Sequence, residues 1–266
     1  MDQLLRSHAE AIVSASIQAV QPDEAVSRAL RGQDFPGRVV LVAAGKAAWQ
    51  MARAAYDCMG EKIEKGVVIT KYGHVMGPIG NLDCREAGHP VPDEGSFTAT
   101  QAALDMVEGL TERDTVLFLL SGGGSALFEK PLIPSEELQE VTGQLLACGA
   151  DIVEMNTLRK RLSAVKGGRF AQACAPARVF SIVLSDILGD PLDMIASGPA
   201  YPDSSTCTQA VAIAKKYQLK LSDRAWVLLE RETPKELTNV TTLITGSVRE
   251  LCAAAGRECE QLGYRP

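Results

Sequence analysis

Cysteine pairs, long apolar runs and an excess of basic charge are all missing from this chain. Its seven cysteines, spread over 266 residues, include no Cys-x-x-Cys and no neighbouring histidine cluster. That spacing excludes a disulfide frame and a zinc site and reads as the reduced thiols of a cytoplasmic protein. No segment has the unbroken apolar length that a bilayer demands. The first twenty residues carry Asp2, Arg6, His8 and Glu10 among their apolar positions, so they lack the core of a signal peptide. A formal net charge of -6 is repelled at long range by nucleic acid and by anionic membranes, neither of which is an expected partner. Small anions remain, because local groups can hold them. Two familiar phosphate signatures are absent too. No Gly-Lys-Ser/Thr follows a glycine run at Walker spacing, and no Gly-x-Gly-x-x-Gly opens a first strand and helix.

What is present is an ordinary globular composition, 46% hydrophobic and 23% charged, enough for a substantial core in one large domain or two smaller ones. Apolar spacing from Leu4 through Ile12, Ala15 and Ala19 predicts an amphipathic helix, and Pro22 opens another that ends near Gly32. Residues 38–44 are a short Val-rich run that leads through Gly45 and Lys46 into a helical pattern reaching Met59. Similar runs recur at 66–70, 115–120, 179–184 and 241–244, with helical stretches at 94–109, 135–150, 151–165, 205–217 and 248–262. Such alternation predicts an α/β fold, a Rossmann-like three-layer sandwich around a mostly parallel sheet. Residues 71–92, rich in Gly and Pro, read as a loop-rich connection, and Thr233-Pro234 suggests a boundary within 232–239.

In an open parallel sheet, ligands bind beyond the carboxyl ends of the strands. Three strand ends there carry suitable chemistry. Ser121, Gly122, Gly123, Gly124 and Ser125 follow a buried run directly, and three glycines permit positive dihedrals that bring amide N–H groups to a phosphate, with the positive end of a following helix behind them. The same residues also suit a tight structural turn. Gly45 and Lys46 form the second turn, where an ammonium would counter the charge that develops in phosphoryl transfer, although first-turn lysines are commonly just solvated. The third holds Asp186 and Asp190, whose carboxylates suit Mg²⁺ or, equally, turn-closing hydrogen bonds.

Two further segments add candidates. Along 156–168, Asn156, Arg159, Ser163 and Lys166 fall three and four apart, as do Met155, Leu158, Leu162 and Val165. One face is therefore apolar and the other a polar stripe ending in Gly167 and Gly168, able to hold a carboxylate or phosphate or to stay solvated. His89, one of three histidines, has the pKa range of a base for a substrate hydroxyl, and a structural role suits it as well.

Taken in order, Val-Ala-Ala-Gly-Lys-Ala-Ala (42–48), Gly-His-Pro-Val-Pro-Asp (88–93), Ser-Gly-Gly-Gly-Ser-Ala-Leu (121–127), the Asn-to-Arg stretch 156–169, Ser-Asp-Ile-Leu-Gly-Asp (185–190) and Ile-Ala-Ser-Gly-Pro (195–199) resemble the glycerate 2-kinase family, whose bacterial members are often labelled hydroxypyruvate reductase. The resemblance covers nearly the whole chain. It implies a cytosolic enzyme that uses ATP and Mg²⁺ to phosphorylate the 2-hydroxyl of D-glycerate, with Lys46 matching the catalytic lysine and 121–125 forming the phosphate site. Positions within the motifs add Arg159 as a second catalytic residue and Lys166 with Gly167 as phosphate contacts. Arg159 or Lys166 would anchor the glycerate carboxylate, and Asp186 and Asp190 would hold the metal. Members of this family look like two α/β domains, and the motifs of the second are not found here. The expectation is therefore a first domain over 1–236, the start of a second at 237–266, and little activity, because half the cleft wall is missing and water would reach the phosphate. A homodimer is left open. Other readings are an NAD(P)H-dependent hydroxypyruvate reductase, disfavoured by the missing dinucleotide fingerprint, and a non-catalytic nucleotide-binding module.

Overall fold

Runs such as Val39–Ala44 and Thr115–Leu120 are buried at every position, which happens when a strand has neighbours on both sides and helices on both faces. A computed structural model describes residues 2–185 and 192–266. In chain order the elements are α1 (Asp2–Ala19), α2 (Pro22–Leu30), β1 (Val39–Ala44), α3 (Ala48–Met59), β2 (Ile63–Lys71), β3 (Asp83–Ala87), α4 (Glu94–Val107), β4 (Thr115–Leu120) and α5 (Gly124–Leu127). They continue with α6 (Ser135–Ala147), α7 (Ile152–Arg161), α8 (Arg169–Cys174), β5 (Arg178–Leu184), α9 (Cys207–Lys216), α10 (Asp223–Leu229), β6 (Val240–Thr245) and α11 (Val248–Gln261).

The strands form one sheet in the order β3-β2-β1-β4-β5-β6, and every pairing is parallel. The mostly parallel sheet expected from sequence is thus wholly parallel among the described residues. Alternate side chains divide between two cores. Val40, Val42, Val116 and Phe118 pack with α4 and α8, whereas Val39, Leu41, Leu117 and Leu119 pack with α2 and α3. Phe118, Phe128 and Phe170 meet at centroid distances of 4.9–5.6 Å, and each is nearly or fully buried. Phe128, just past α5, therefore anchors the end of the triple-glycine segment to the core. A third apolar cluster, with Leu138, Val141 and Leu145 of α6, Leu158 of α7, Ala214 of α9 and Leu229 of α10, makes a helical lobe beside the sheet.

Two expectations change. Residues 83–87 form an edge strand inside the stretch read as loop, pairing with β2 from Val67 to Lys71. Its sequence, Asp-Cys-Arg-Glu-Ala, is half-buried at most positions, so it carries no apolar run to announce it. The helix expected over 151–165 starts at a capping box on Asp151 but stops at Arg161. Beyond it, Leu132 N–H donates to Leu162 O and Ala164 N–H to Lys130 O, both at 2.8 Å, so the backbone turns into a bridge with the 130–132 segment. The boundary expected at 236 falls in the loop from α10 to β6. Both sides of it contribute strands to the same sheet, and α11 packs on α1.

Candidate active site

Strand order reverses between β1 and β4, so the chain leaving each strand turns to opposite faces and opens a crevice at their carboxyl ends. The two loops there are stitched together by backbone. Ser121 N–H donates to Ala44 O at 3.0 Å and Lys46 N–H to Gly122 O at 2.8 Å. Ala47 N–H donates to Ser121 Oγ at 3.0 Å. Gly45 sits at φ +128°, and a β-carbon there would lie 2.2 Å from Ser121 Oγ and 2.6 Å from Ser121 O, so only glycine allows the close approach. Gly123 is left-handed at φ +88°. Lys46 is exposed and lines a cavity of about 290 Å³ with Ser121, Gly122 and Ser185. No side chain caps the first turn of α3, which starts two residues beyond Lys46. Its N-terminal amides, with their partial positive charge, face the same end of the sheet.

The far wall of this cavity comes from Gly246, Ser247 and Val248, where β6 turns into α11. These residues did not stand out in the sequence. The available signal was Ser247 followed three positions later by Glu250, the beginning of a capping box. Ser247 Oγ accepts from Glu250 N–H at 3.3 Å.

His89 stands on the other side of the glycine loop. A β-carbon at Gly123 would lie 3.0–3.1 Å from two atoms of the His89 ring and 3.1 Å from Lys46 Cγ, which brings the three residues together. Asp93 fixes the loop carrying His89. It accepts from Gly88 N–H at 2.9 Å, from Ser96 N–H at 3.1 Å and from Tyr72 OH at 2.7 Å. Partial burial first, then the charges of Lys46 and Lys71, hold the His89 imidazolium below its ordinary pKa. Among the described residues, nothing hydrogen-bonds to its ring.

Beneath the loop, Ser125 O accepts from Lys166 Nζ at 2.8 Å and from Arg159 Nη2 at 3.3 Å. Lys166 is fully buried and paired with Glu129, itself buried. Burial lowers the Lys166 pKa to about 8. So Lys166 braces the loop from inside and does not share an open stripe with Arg159, because the helix that would have aligned them ends first. Gly167 is buried, with its N–H donating to Ser197 O at 3.0 Å. The helix that begins at the third glycine spans only Gly124–Leu127, too short to add much dipole.

Asp186 and Asp190 lie outside the described residues, and among those described no group of His, Cys, Asp and Glu side chains could hold a metal ion. Ser185 lines the cavity beside Lys46. No helix of the described residues is long and apolar enough to cross a membrane.

Residues 8–230 match the family described as "Domain of unknown function (DUF4147)". The D-glycerate 2-kinase of Thermotoga maritima is 52% identical over 98% of this chain and 63% of its own length. The glycerate 2-kinase of Pyrococcus horikoshii is 38% identical over 96% of this chain and 62% of its own length. The crystal structure of the Thermotoga maritima glycerate kinase superposes with a TM-score of 0.94 at 51% identity, over 98% of this chain and 63% of that one. The chain thus spans less than two thirds of the length of these relatives. Through its DUF4147 region and these likenesses, the chain belongs to the glycerate 2-kinase family.

Proposed function

We propose that the β1/β4 crossover cradles the phosphates of ATP and that this chain carries the phosphoryl-transfer site for the 2-hydroxyl of D-glycerate. The observation that carries this reading is the clasp in which Lys46 N–H meets Gly122 O at 2.8 Å, because it sets an exposed ammonium and a triple-glycine turn at one opening. Support also comes from relatives named D-glycerate 2-kinase and glycerate 2-kinase.

In this mechanism the amides of 122–124 hold phosphate oxygens, and Lys46 offsets the charge spreading over the transferring group. The Arg159 guanidinium, one nitrogen of which serves Ser125 O, has donors left for the glycerate carboxylate. His89 accepts the proton of the 2-hydroxyl as that oxygen forms its bond to phosphorus and the bond to the ADP oxygen breaks. Lys166 and Glu129 keep Ser125 in place from below. Mg²⁺, when bound, supplies charge neutralisation at the β- and γ-phosphates, and Asp186 and Asp190 are the carboxylates proposed to hold it. The work belongs in the cytoplasm, where ATP is abundant.

The test is formation of 2-phosphoglycerate from ATP and D-glycerate across the neutral pH range. Lys46→Ala is expected to cut turnover by about 100-fold or more with an unchanged melting temperature. It also removes a charge that disfavours the His89 imidazolium, so the acidic limb of the pH profile moves to higher pH. Unchanged turnover removes Lys46 from the mechanism, and an unmoved limb removes His89.

A further inference from the structure

We infer that the cleft between the 90–97 turn and α6 is the seat of the adenine ring of ATP. The inference rests on the phosphate site proposed above and extends it to the far end of the nucleotide.

The cleft encloses about 300 Å³ between the sheet body and the helical lobe, and ligand sites favour such junctions. Pro90, Pro92 and Phe97 form one wall, Leu138 and Leu146 the other, and among the described residues Arg159 is the one charged residue lining it. Flat apolar surfaces facing each other suit a planar heterocycle, and a guanidinium stacks on such a ring. Glycerate, a three-carbon acid with two hydroxyls, would leave these walls dry and its own polar groups unpaired. The polar substrate belongs on the glycine-loop side of Arg159, where that guanidinium meets Ser125 O.

Continuity with the glycine loop fixes the identity further. Arg159 lines the cleft and also donates to Ser125 O at 3.3 Å. Pro90 follows His89, whose ring stands against Gly123. A molecule leaving the cleft on this side meets the glycine loop directly. Val91 is 59% exposed and Leu146 63% exposed at the rim, apolar surface that a bound base would cover.

Gly143 provides the means to close the cleft. It lines the cleft on α6, and a β-carbon there would meet nothing within 4 Å. A Gly143→Phe side chain therefore enters open space without displacing backbone. Calorimetric titration of the parent chain with ATP, inorganic tripolyphosphate and adenosine, repeated on Gly143→Phe, decides the matter. ATP is expected to bind at least about tenfold more tightly than tripolyphosphate. Gly143→Phe should erase that margin and abolish adenosine binding while leaving tripolyphosphate affinity unchanged. Val91→Glu at the exposed rim repeats the test should the first variant fail to fold. A margin that survives both variants, or an ATP affinity no greater than that of tripolyphosphate, overturns the cleft and spares the phosphate site. Adenosine binding that both variants abolish, in a chain that ignores tripolyphosphate, upholds the cleft and overturns the phosphate site. Binding of neither overturns both. A change of mass by light scattering in Gly143→Phe, with nucleotide affinity intact, assigns the cleft to a second copy of the chain and overturns the inference.

Discussion

Lys166 has no exposed surface, and its ammonium serves Ser125 O and Glu129. Removing one member of a buried ion pair strands the other charge, at a cost of about 3–5 kcal/mol, whereas replacing both by apolar groups is often nearly neutral. Lys166→Met is accordingly expected to lose about that much stability, and Lys166→Met with Glu129→Leu to regain most of it. Urea unfolding of the parent and the two variants measures this, and a double variant as weak as Lys166→Met refutes the pairing. The pH dependence has a definite sign. With the lysine lowered to about 8 from its ordinary 10.5, the unfolded chain binds more protons between those values, so stability from this group rises with pH across that window. The sequence identified Lys166 by type but put it on an open polar stripe, since three-and-four spacing says nothing about where a helix stops. Glu129 went unnoticed because a single acid after a turn carries no pattern.

Strands were legible wherever an apolar or β-branched run marks them, at the buried centre of the sheet and at its β6 edge alike. Strands β1, β4 and β5 announce themselves as apolar runs, because each has a neighbour on both sides. Strand β3 lies at the edge with one partner and mixed side chains, and it reads as loop. Two glycines separate turn from helix by experiment. Gly45→Ala places a β-carbon 2.2 Å from Ser121 Oγ at positive φ and is expected to cost at least about 2 kcal/mol. Gly143→Ala, inside α6 with open space around it, is expected to gain about 0.5–1 kcal/mol from helix propensity. Melting temperatures should move in opposite directions, and a Gly45→Ala chain as stable as the parent would mean the two loops are not clasped.

For the whole molecule, alternation of strand and helix made the layered parallel architecture readable, but the strand order was not, because it depends on which crossovers go to which side. The amino ends of the same two central strands are tied by charge. Asp114, before β4, accepts from Arg38 Nη2 at 2.7 Å, from Arg38 Nε at 3.1 Å and from Thr111 N–H at 2.7 Å. The Arg38 bond, then Thr111, holds the Asp114 carboxyl far below its ordinary 3.8. A depressed carboxyl contributes stability above its unfolded pKa and loses it as pH falls toward the folded value. Asp114→Asn should therefore weaken the fold at pH 7, with the gap to the parent narrowing below pH 3.8. Denaturant midpoints at neutral and acid pH check this, and a constant gap argues against it.

The backbone stitching of 45–47 to 121–122 joins stretches 74 residues apart in the chain. Whatever settles in the crevice between those loops touches both winding directions of the fold, so occupancy and unfolding are thermodynamically linked. At a hundredfold excess over its dissociation constant, a native-only ligand adds about 2.7 kcal/mol. Under the proposed phosphate reading, a nucleotide seated there would fasten the two halves of the sheet to each other.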